Sequence, residues 1–303
     1  GGSPPDPAFY LVSGAAPNGV QTAGRTTGAQ NIFYDASGLV EDHVYGMHFP
    51  LIGSGGADLP ADGGGASSGG EKTGLWAKIG GSWDNQESSV NQTIMGSGVT
   101  IDTSFDQNTY SVLGGGDFSP TGEGNGFRFG LYGGYTQSDL DFNSYGASAS
   151  YKGGIVGGYA AYTSGGFYAD AQLNANFLNV DYNAPALGAG VTASADSTSV
   201  GVLANTGYRI QNGWGFIEPI VSLNYVNTSI GSMTGGNATV DFSNGQSLQA
   251  GAGGRIGTTF GTPGGTKTEV SLLGKVWNEF EDANTVTITD NLGNTASFSD
   301  SIS

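Results

Sequence analysis

One stretch limits what this chain can fold into more than any other: Gly166 to Asp181, GFYADAQLNANFLNVD. Phe167, Ala169, Ala171, Leu173, Ala175 and Phe177 share one parity, and Tyr168, Asp170, Gln172, Asn174 and Asn176 share the other. Successive side chains of a β-strand point to opposite faces, so strict period-two alternation over about ten residues specifies a strand. Its apolar face is free of charge and has an aromatic near each end. A strand that crosses a bilayer needs about 9–11 residues with aromatics at both interfaces, whereas a soluble strand averages about 5–6. The stretch therefore predicts a membrane-spanning barrel strand or an unusually long soluble one.

The rest of the chain from Gly74 onward has the same character. Nine long strands are predicted: Leu75–Trp83, Tyr110–Phe118, Phe127–Ser138, Ser150–Tyr162, Phe167–Asp181, Thr198–Ile210, Phe216–Thr228, Leu248–Phe260 and Thr268–Phe280. Joins rich in Gly, Pro, Asn and Ser (Ser119–Gly126, Ser164–Gly166, Gln211–Gly213, Gly261–Gly265) alternate with long polar ones (Asp84–Thr109, Asp139–Ala149, Tyr182–Ser197, Ser229–Ser247). Such alternation predicts an up-and-down antiparallel meander with two unlike ends, as in a transmembrane barrel with tight turns on one side and longer loops on the other. Of 9 Lys and Arg residues, five (Lys78, Arg128, Arg209, Arg255 and Lys275) fall on the polar parity of these strands, with Asp170, Glu218 and Glu269. A charge on a lipid-facing position costs about 2–4 kcal/mol at mid-membrane, so all eight are expected to face a lumen. Lys152 cannot be placed, because glycines blur the faces of its strand.

Composition agrees. The 303 residues include 56 glycines and no cysteine, and Lys, Arg and Glu are scarce, which argues against a helical protein. No apolar run approaches the roughly 18 residues of a membrane helix, while a mean hydropathy of −0.16 is compatible with a barrel whose lumen is polar. A net charge of −17 makes nucleic acid an unsuitable partner.

The N-terminal quarter differs. Residues 1–19 carry a short apolar run, Phe9 to Val12, between prolines. Residues 20–50 place Ile32, Ala36, Leu39, His43 and Met47 on one helical stripe, with Asp35, Glu41 and Asp42 off it. Gly24, Gly28, Gly38 and Gly46 each cost such a helix about 1 kcal/mol relative to Ala, so it needs a protecting environment. Residues 51–73 are a glycine-rich linker, and 74–303 form the β domain.

Four segments, in order, carry a family resemblance: AFYLVSGAAPNGVQTAG with AQNIFYDASGLVEDHVYG, then GLWAKIGGSW, GWGFIEPIVSLNYV and KVWNEFEDANTVTITD. Together they resemble the translocator domains of autotransporters, the type V secretion family. The resemblance implies a monomeric 12-stranded barrel in the outer membrane of a Gram-negative cell. In it residues 20–50 would thread the lumen, and the barrel would export and display an N-terminal passenger ending in residues 1–19. Its implied partners are outer-membrane lipid, the passenger and the barrel-assembly machinery. About nine strands are visible before the polar sequence that ends at Ser303. A C-terminal truncation is expected, with a 10-strand barrel closed by part of Thr285–Ser303 as the alternative.

Chemistry-bearing motifs are sparse. His43 and His48 do not stack on one helical face and no cysteine accompanies them, so no metal site, cofactor or catalytic group is expected. Asp139/Asp141 and Glu279/Glu281/Asp282 read as solvated loop charge. Gly114–Gly116 and Gly251–Gly254 sit inside strands without the Lys-Ser/Thr of a phosphate loop. Some autotransporters cut their own helix at an asparagine within the pore; Asn31 lies in the helix, but the local cleavage motif is not matched. The competing functions are an outer-membrane adhesin or small porin acting through its loops, and a soluble β-sandwich.

Overall fold

The computed structural model describes residues 16–49, 72–94, 97–120, 125–184, 191–235, 238–261, 267–280, 284–290, 293 and 295–300. Residues 1–15 and most of the glycine-rich linker lie outside them. In the order of the described residues come helix α1 (Ala16–His48), then β1 (Lys72–Gln86), β2 (Ser89–Ile94), β3 (Ser97–Asp102), β4 (Phe105–Ser119), β5 (Gly126–Phe142) and β6 (Ser148–Ser164). Then follow β7 (Phe167–Ala184), β8 (Val191–Tyr208), β9 (Ile210–Asn212), β10 (Gly215–Ile230), β11 (Met233–Gly235), β12 (Ala238–Phe242), β13 (Gly245–Gly261), β14 (Lys267–Glu279), β15 (Asn284–Asp290) and β16 (Thr295–Asp300).

The nine long strands form one antiparallel meander in the order β1-β4-β5-β6-β7-β8-β10-β13-β14, with β9 continuing β8 against β10. The sheet curls around α1, and among the described residues no ladder joins β14 to β1. The two ends are unlike. Tight joins lie at the end where β6 passes to β7 through Gly165 and Gly166. The other end carries additional structure where the sequence predicts polar loops. A β2–β3 hairpin lies between β1 and β4, and β11, β12, β15 and β16 form a separate four-stranded sheet. Asn284–Asp290 pairs with β12 and β16, so the alternative of a tenth barrel strand from this region is not what the described residues form.

The alternation places apolar side chains outward. On β7, Phe167, Leu173 and Phe177 are exposed, while Tyr168, Gln172, Asn174 and Asn176 are buried inside. Exposed aromatics form two rows: Trp83, Tyr110, Tyr135, Phe177 and Tyr225 toward the loop end, and Phe118, Phe129, Phe167, Tyr208 and Phe260 toward the turn end. Phe167 and Phe177 are ten residues apart, about 34 Å along a strand and about 26 Å along the normal at a tilt near 40°, which matches the ~25 Å apolar band of an outer-membrane barrel.

Beyond the loop-end row the pattern inverts. Leu178, Val180 and Tyr182 turn inward on β7, as do Leu140 and Phe142 on β5, while Asp139, Asp141, Asn179 and Asp181 turn outward. The strands continue past their expected ends because this inner face buries a second core around Ala29 and Ile32 of α1. Lys152 belongs to the polar outer zone, exposed and paired in register with Gln137 and Asn179.

At 33 residues α1 is about 50 Å long, enough to run through a membrane-thick barrel and beyond it. Its burial is not confined to the expected stripe. Ala29, Phe33, Val40 and Val44 are buried alongside Ile32, Ala36 and His43, since the sheet encloses the helix on several sides. Close approach explains one of its glycines: a Cβ on Gly28 would lie 2.6 Å from Leu140 and 3.0 Å from the Tyr151 hydroxyl.

Candidate functional site

The interior face of the sheet meets α1 through polar and charged groups, and these contacts orient the helix. Gln21 donates to the Ser144 carbonyl at the loop end (2.7 Å), whereas His48 reaches Thr163 and Asp170 near the turn end (2.7 and 3.1 Å). The helix therefore enters at the loop end and finishes at the turn end, where β1 begins.

The densest cluster sits at the turn end. Glu218 of β10 is fully buried, accepting from Arg209 Nε (3.0 Å) and the Tyr168 hydroxyl (2.9 Å), with Arg255 Nε 3.8 Å away. Arg209 Nη1 reaches Glu269 of β14 at 3.0 Å. The hydroxyl of Tyr45, on α1, accepts from Arg209 Nη2 and lies 3.2 Å from Glu269 and 3.4 Å from Glu218. The Arg255 guanidinium covers the Tyr45 ring at 3.5 Å, and that of Arg209 is 3.7 Å from the Phe216 ring and 3.9 Å from that of Phe49. A carboxylate this deep costs several kcal/mol unless paired, so the two arginines are what make Glu218 tolerable.

Further contacts tie the helix to the wall along its length. Lys275 pairs with Glu41, and Lys78 Nζ lies 4.0 Å from Asp42. Arg128 donates to the Met47 carbonyl, Ser82 donates to Asp35, and Gln172 and Asn174 bind Ser37 through its carbonyl and hydroxyl (2.8 Å each). Asp117 of β4 faces His43 at 3.1 Å. At the loop end Asn284 donates to Thr27 and Gln30 (3.1 and 3.3 Å), and Arg25 stacks over Tyr182, 3.1 Å from the ring centroid.

Lys78, Arg128, Asp170, Arg209, Glu218, Arg255, Glu269 and Lys275 thus all stand on the face toward α1, and Asp35, Glu41 and Asp42 lie on the helix. Lys275 and Lys78 pair with helix acids, Glu41 and Asp42, whereas Arg209 and Arg255 serve carboxylates of the sheet itself and enclose Tyr45. Sequence reasoning missed Tyr45 and the two histidine–aspartate pairs. Their signal was a polar group at each inward strand position, but the partner of each depends on the depth and rotation of the helix. The Asp139/Asp141 pair lies on the outer face above the aromatic row, Glu279 binds Ser247 and the Leu248 amide, and Glu281 and Asp282 lie outside the described residues.

A curled run of long antiparallel strands with an aromatic-edged apolar exterior and a charged interior wrapped on a helix narrows the comparison to barrel translocators. The family model of the autotransporter β-domain matches residues 75–303. The chain belongs to the autotransporter β-domain family. Members of this family are translocator barrels of the Gram-negative outer membrane. Among relatives, the pertactin autotransporters of Bordetella parapertussis and Bordetella bronchiseptica are each 30% identical over 187 residues, which is 60% of this chain and 20% of theirs. The chain therefore spans about a fifth of the length of the curated relatives it matches. In fold it is similar to the β domain of the Bordetella autotransporter BrkA (TM-score 0.52, 21% identity, 76% of this chain and 92% of that one). It is also similar to the translocator domain of NalP from Neisseria meningitidis (TM-score 0.50, 12% identity, 97% and 94%).

Proposed function

We propose that this autotransporter β domain exports a passenger fused to its N-terminus, and that α1 then remains in the lumen as a plug held by the inward charges. The observation that carries this reading is the Tyr45 cluster. Two arginines and two glutamates of the barrel converge on one side chain of the helix, at the turn end, where β1 begins. The orientation agrees: the N-terminal half of α1 leaves through the loop end, so a passenger ahead of residue 16 would stand on the outer side.

The activity is movement of a chain rather than catalysis. The polar wall of Asp170, Gln172, Asn174 and Asn176 supplies the path, and folding of the passenger outside makes the movement one-way. The other partners of this reading are outer-membrane lipid along the apolar band and the barrel-assembly machinery that inserts it. In lipid an unpaired strand edge costs several kcal/mol per backbone group, so the working barrel has strand partners along β1 and β14. An adhesin acting through its loops is the weaker reading, because the loop-end sheet engages the helix through Asn284.

A charge swap tests the plug. Lys275→Glu in the complete autotransporter is expected to raise ion leakage in planar bilayers, and Glu41→Lys added to it to lower the leak again. Unchanged conductance in both variants would remove the ion-pair basis of the reading.

A further inference from the structure

Several ties between α1 and the wall would survive a change of depth. Gln107 and Gln172 donate to the carbonyls of Gly28 and Ser37 (2.9 and 2.8 Å), and every turn of a helix presents such carbonyls. Lys78 and Lys275 reach Asp42 and Glu41 from flexible four-carbon stems that can follow a displaced partner. A helix threaded through a barrel therefore needs side chains that fit at one depth alone. We infer that Arg25 is such a positioning residue: it sets the depth at which α1 comes to rest, from the loop end. The inference rests on the plug reading above.

Arg25 is buried, and residues of three strands box its guanidinium. Its Cζ lies 3.1 Å from the centre of the Tyr182 ring on β7 and 5.4 Å from that of Phe242 on β12, and Nη1 donates to the Met233 sulfur on β11 at 2.8 Å. The Tyr151 hydroxyl donates to the Arg25 carbonyl at 2.9 Å, which fixes the backbone at the same level. Ring faces attract a guanidinium most strongly where water is excluded. Met233 and Phe242 belong to the four-stranded sheet, so the box is completed by structure outside the barrel wall. The same region grips the next turn: Asn284 of β15 donates to Thr27 and Gln30, and a Cβ on Gly245 would clash with Thr26.

The box fits at one depth. One turn toward the turn end would carry Arg25 to where Ala29 sits, fully buried in the cluster of Leu140, Leu178 and Val180. There the cation would be desolvated among aliphatic groups, and a long side chain would stand in place of a methyl, beside Gly28, where even a Cβ does not fit. One turn the other way takes the guanidinium off both rings and draws Tyr45 out of its cluster. Arg25 and Tyr45 stand twenty residues apart, about 30 Å along the axis, and bracket the helix from its two ends.

The test is disulfide cross-linking in the complete autotransporter; this chain has no cysteine of its own. A Cβ on Gly80 would lie 3.1 Å from Leu39 Cγ, so Leu39→Cys with Gly80→Cys reports the native depth. Asp35 is one turn above Leu39 and meets Ser82, so Asp35→Cys with Gly80→Cys reports a helix one turn closer to the turn end. With native Arg25 the first disulfide should dominate. Arg25→Ala, which fits where Ala29 sits, should raise the ratio of the second to the first about tenfold, equivalent to ~1.4 kcal/mol. Arg25→Lys, which restores a cation, should return most of the native ratio. A loss of stability alone would lower both disulfides and leave their ratio unchanged. If Arg25→Ala does not give a heat-modifiable barrel, Tyr182→Leu, which opens the box from the wall, decides, with a shift of the same sign. An unchanged ratio in the variant that folds overturns the inference. The plug reading survives that outcome if Leu39→Cys with Gly80→Cys closes in the native background, and fails with it if neither disulfide forms.

Discussion

Tyr45 on α1 and Arg209 between β8 and β9 share a hydrogen bond from guanidinium to phenol, with both groups wedged between Glu218 and Glu269. Tyr45→Phe keeps the ring against Arg255 but removes the acceptor. Leaving one buried polar group short of a partner costs about 1–3 kcal/mol, so the variant should show more open time and a lower melting point in heat-modifiability assays. Arg209→Met should cost about 3–5 kcal/mol, because it strips the buried Glu218 of a charge partner.

The rows of outward aromatics predict where lipid ends. Leu131, exposed on β5 between Phe129 and Tyr135, stands in the apolar band, and Leu131→Arg should lower the folding free energy into vesicles by about 2–4 kcal/mol. Asp139→Arg, on the same face of the same strand but above Tyr135, should change it by no more than about 1 kcal/mol. Urea titration of folding in vesicles measures both, and equal costs would erase the assigned boundary.

Helix glycines should separate by environment. Gly28→Val drives side-chain atoms into Leu140 and Tyr151 and should destabilise by about 1–3 kcal/mol. Gly38 has open space beside it, so Gly38→Ala should be neutral or stabilise by up to about 1 kcal/mol. The order of their melting midpoints, Gly38→Ala above native and native above Gly28→Val, is the readout.

On the loop end Asp102 accepts from the Ser144 hydroxyl and from Ser104, and the Ser144 bond in particular holds its carboxyl below the usual carboxylate range. A depressed folded value means the tie is fully present above the ordinary carboxylate pKa and is lost as pH falls through the lower one. Hydrogen exchange at Ser104 and Asn143 should therefore be steady from about pH 7 to about pH 5 once corrected for intrinsic rate, and protection should drop below about pH 4. Asp102→Asn should show the unprotected level throughout.

Nearly all of the membrane part was legible, because period two fixes faces wherever one face is apolar. Glu218 and Arg209 could be placed inside from parity alone. What sequence could not supply was the inversion at the loop end. The adjacent apolar pair Phe177-Leu178 marks it, since one ring faces lipid and the other residue faces the second core, but a single pair is indistinguishable from a register slip. Nor could it match helix to wall. The partners of Tyr45, His43 and His48 lie 74 to 224 residues away in sequence and follow from how far α1 is inserted. The loop-end sheet was missed because its pairing of β12 with β15 joins two segments that each read as polar loop.

The most direct test of the central claim is single-channel conductance of the complete autotransporter with and without residues 16–48. A plug held by the barrel wall predicts a closed native pore with rare openings and a steadily conducting pore once the helix is removed, both in barrels that remain heat-modifiable. Equal conductance in the two would contradict it.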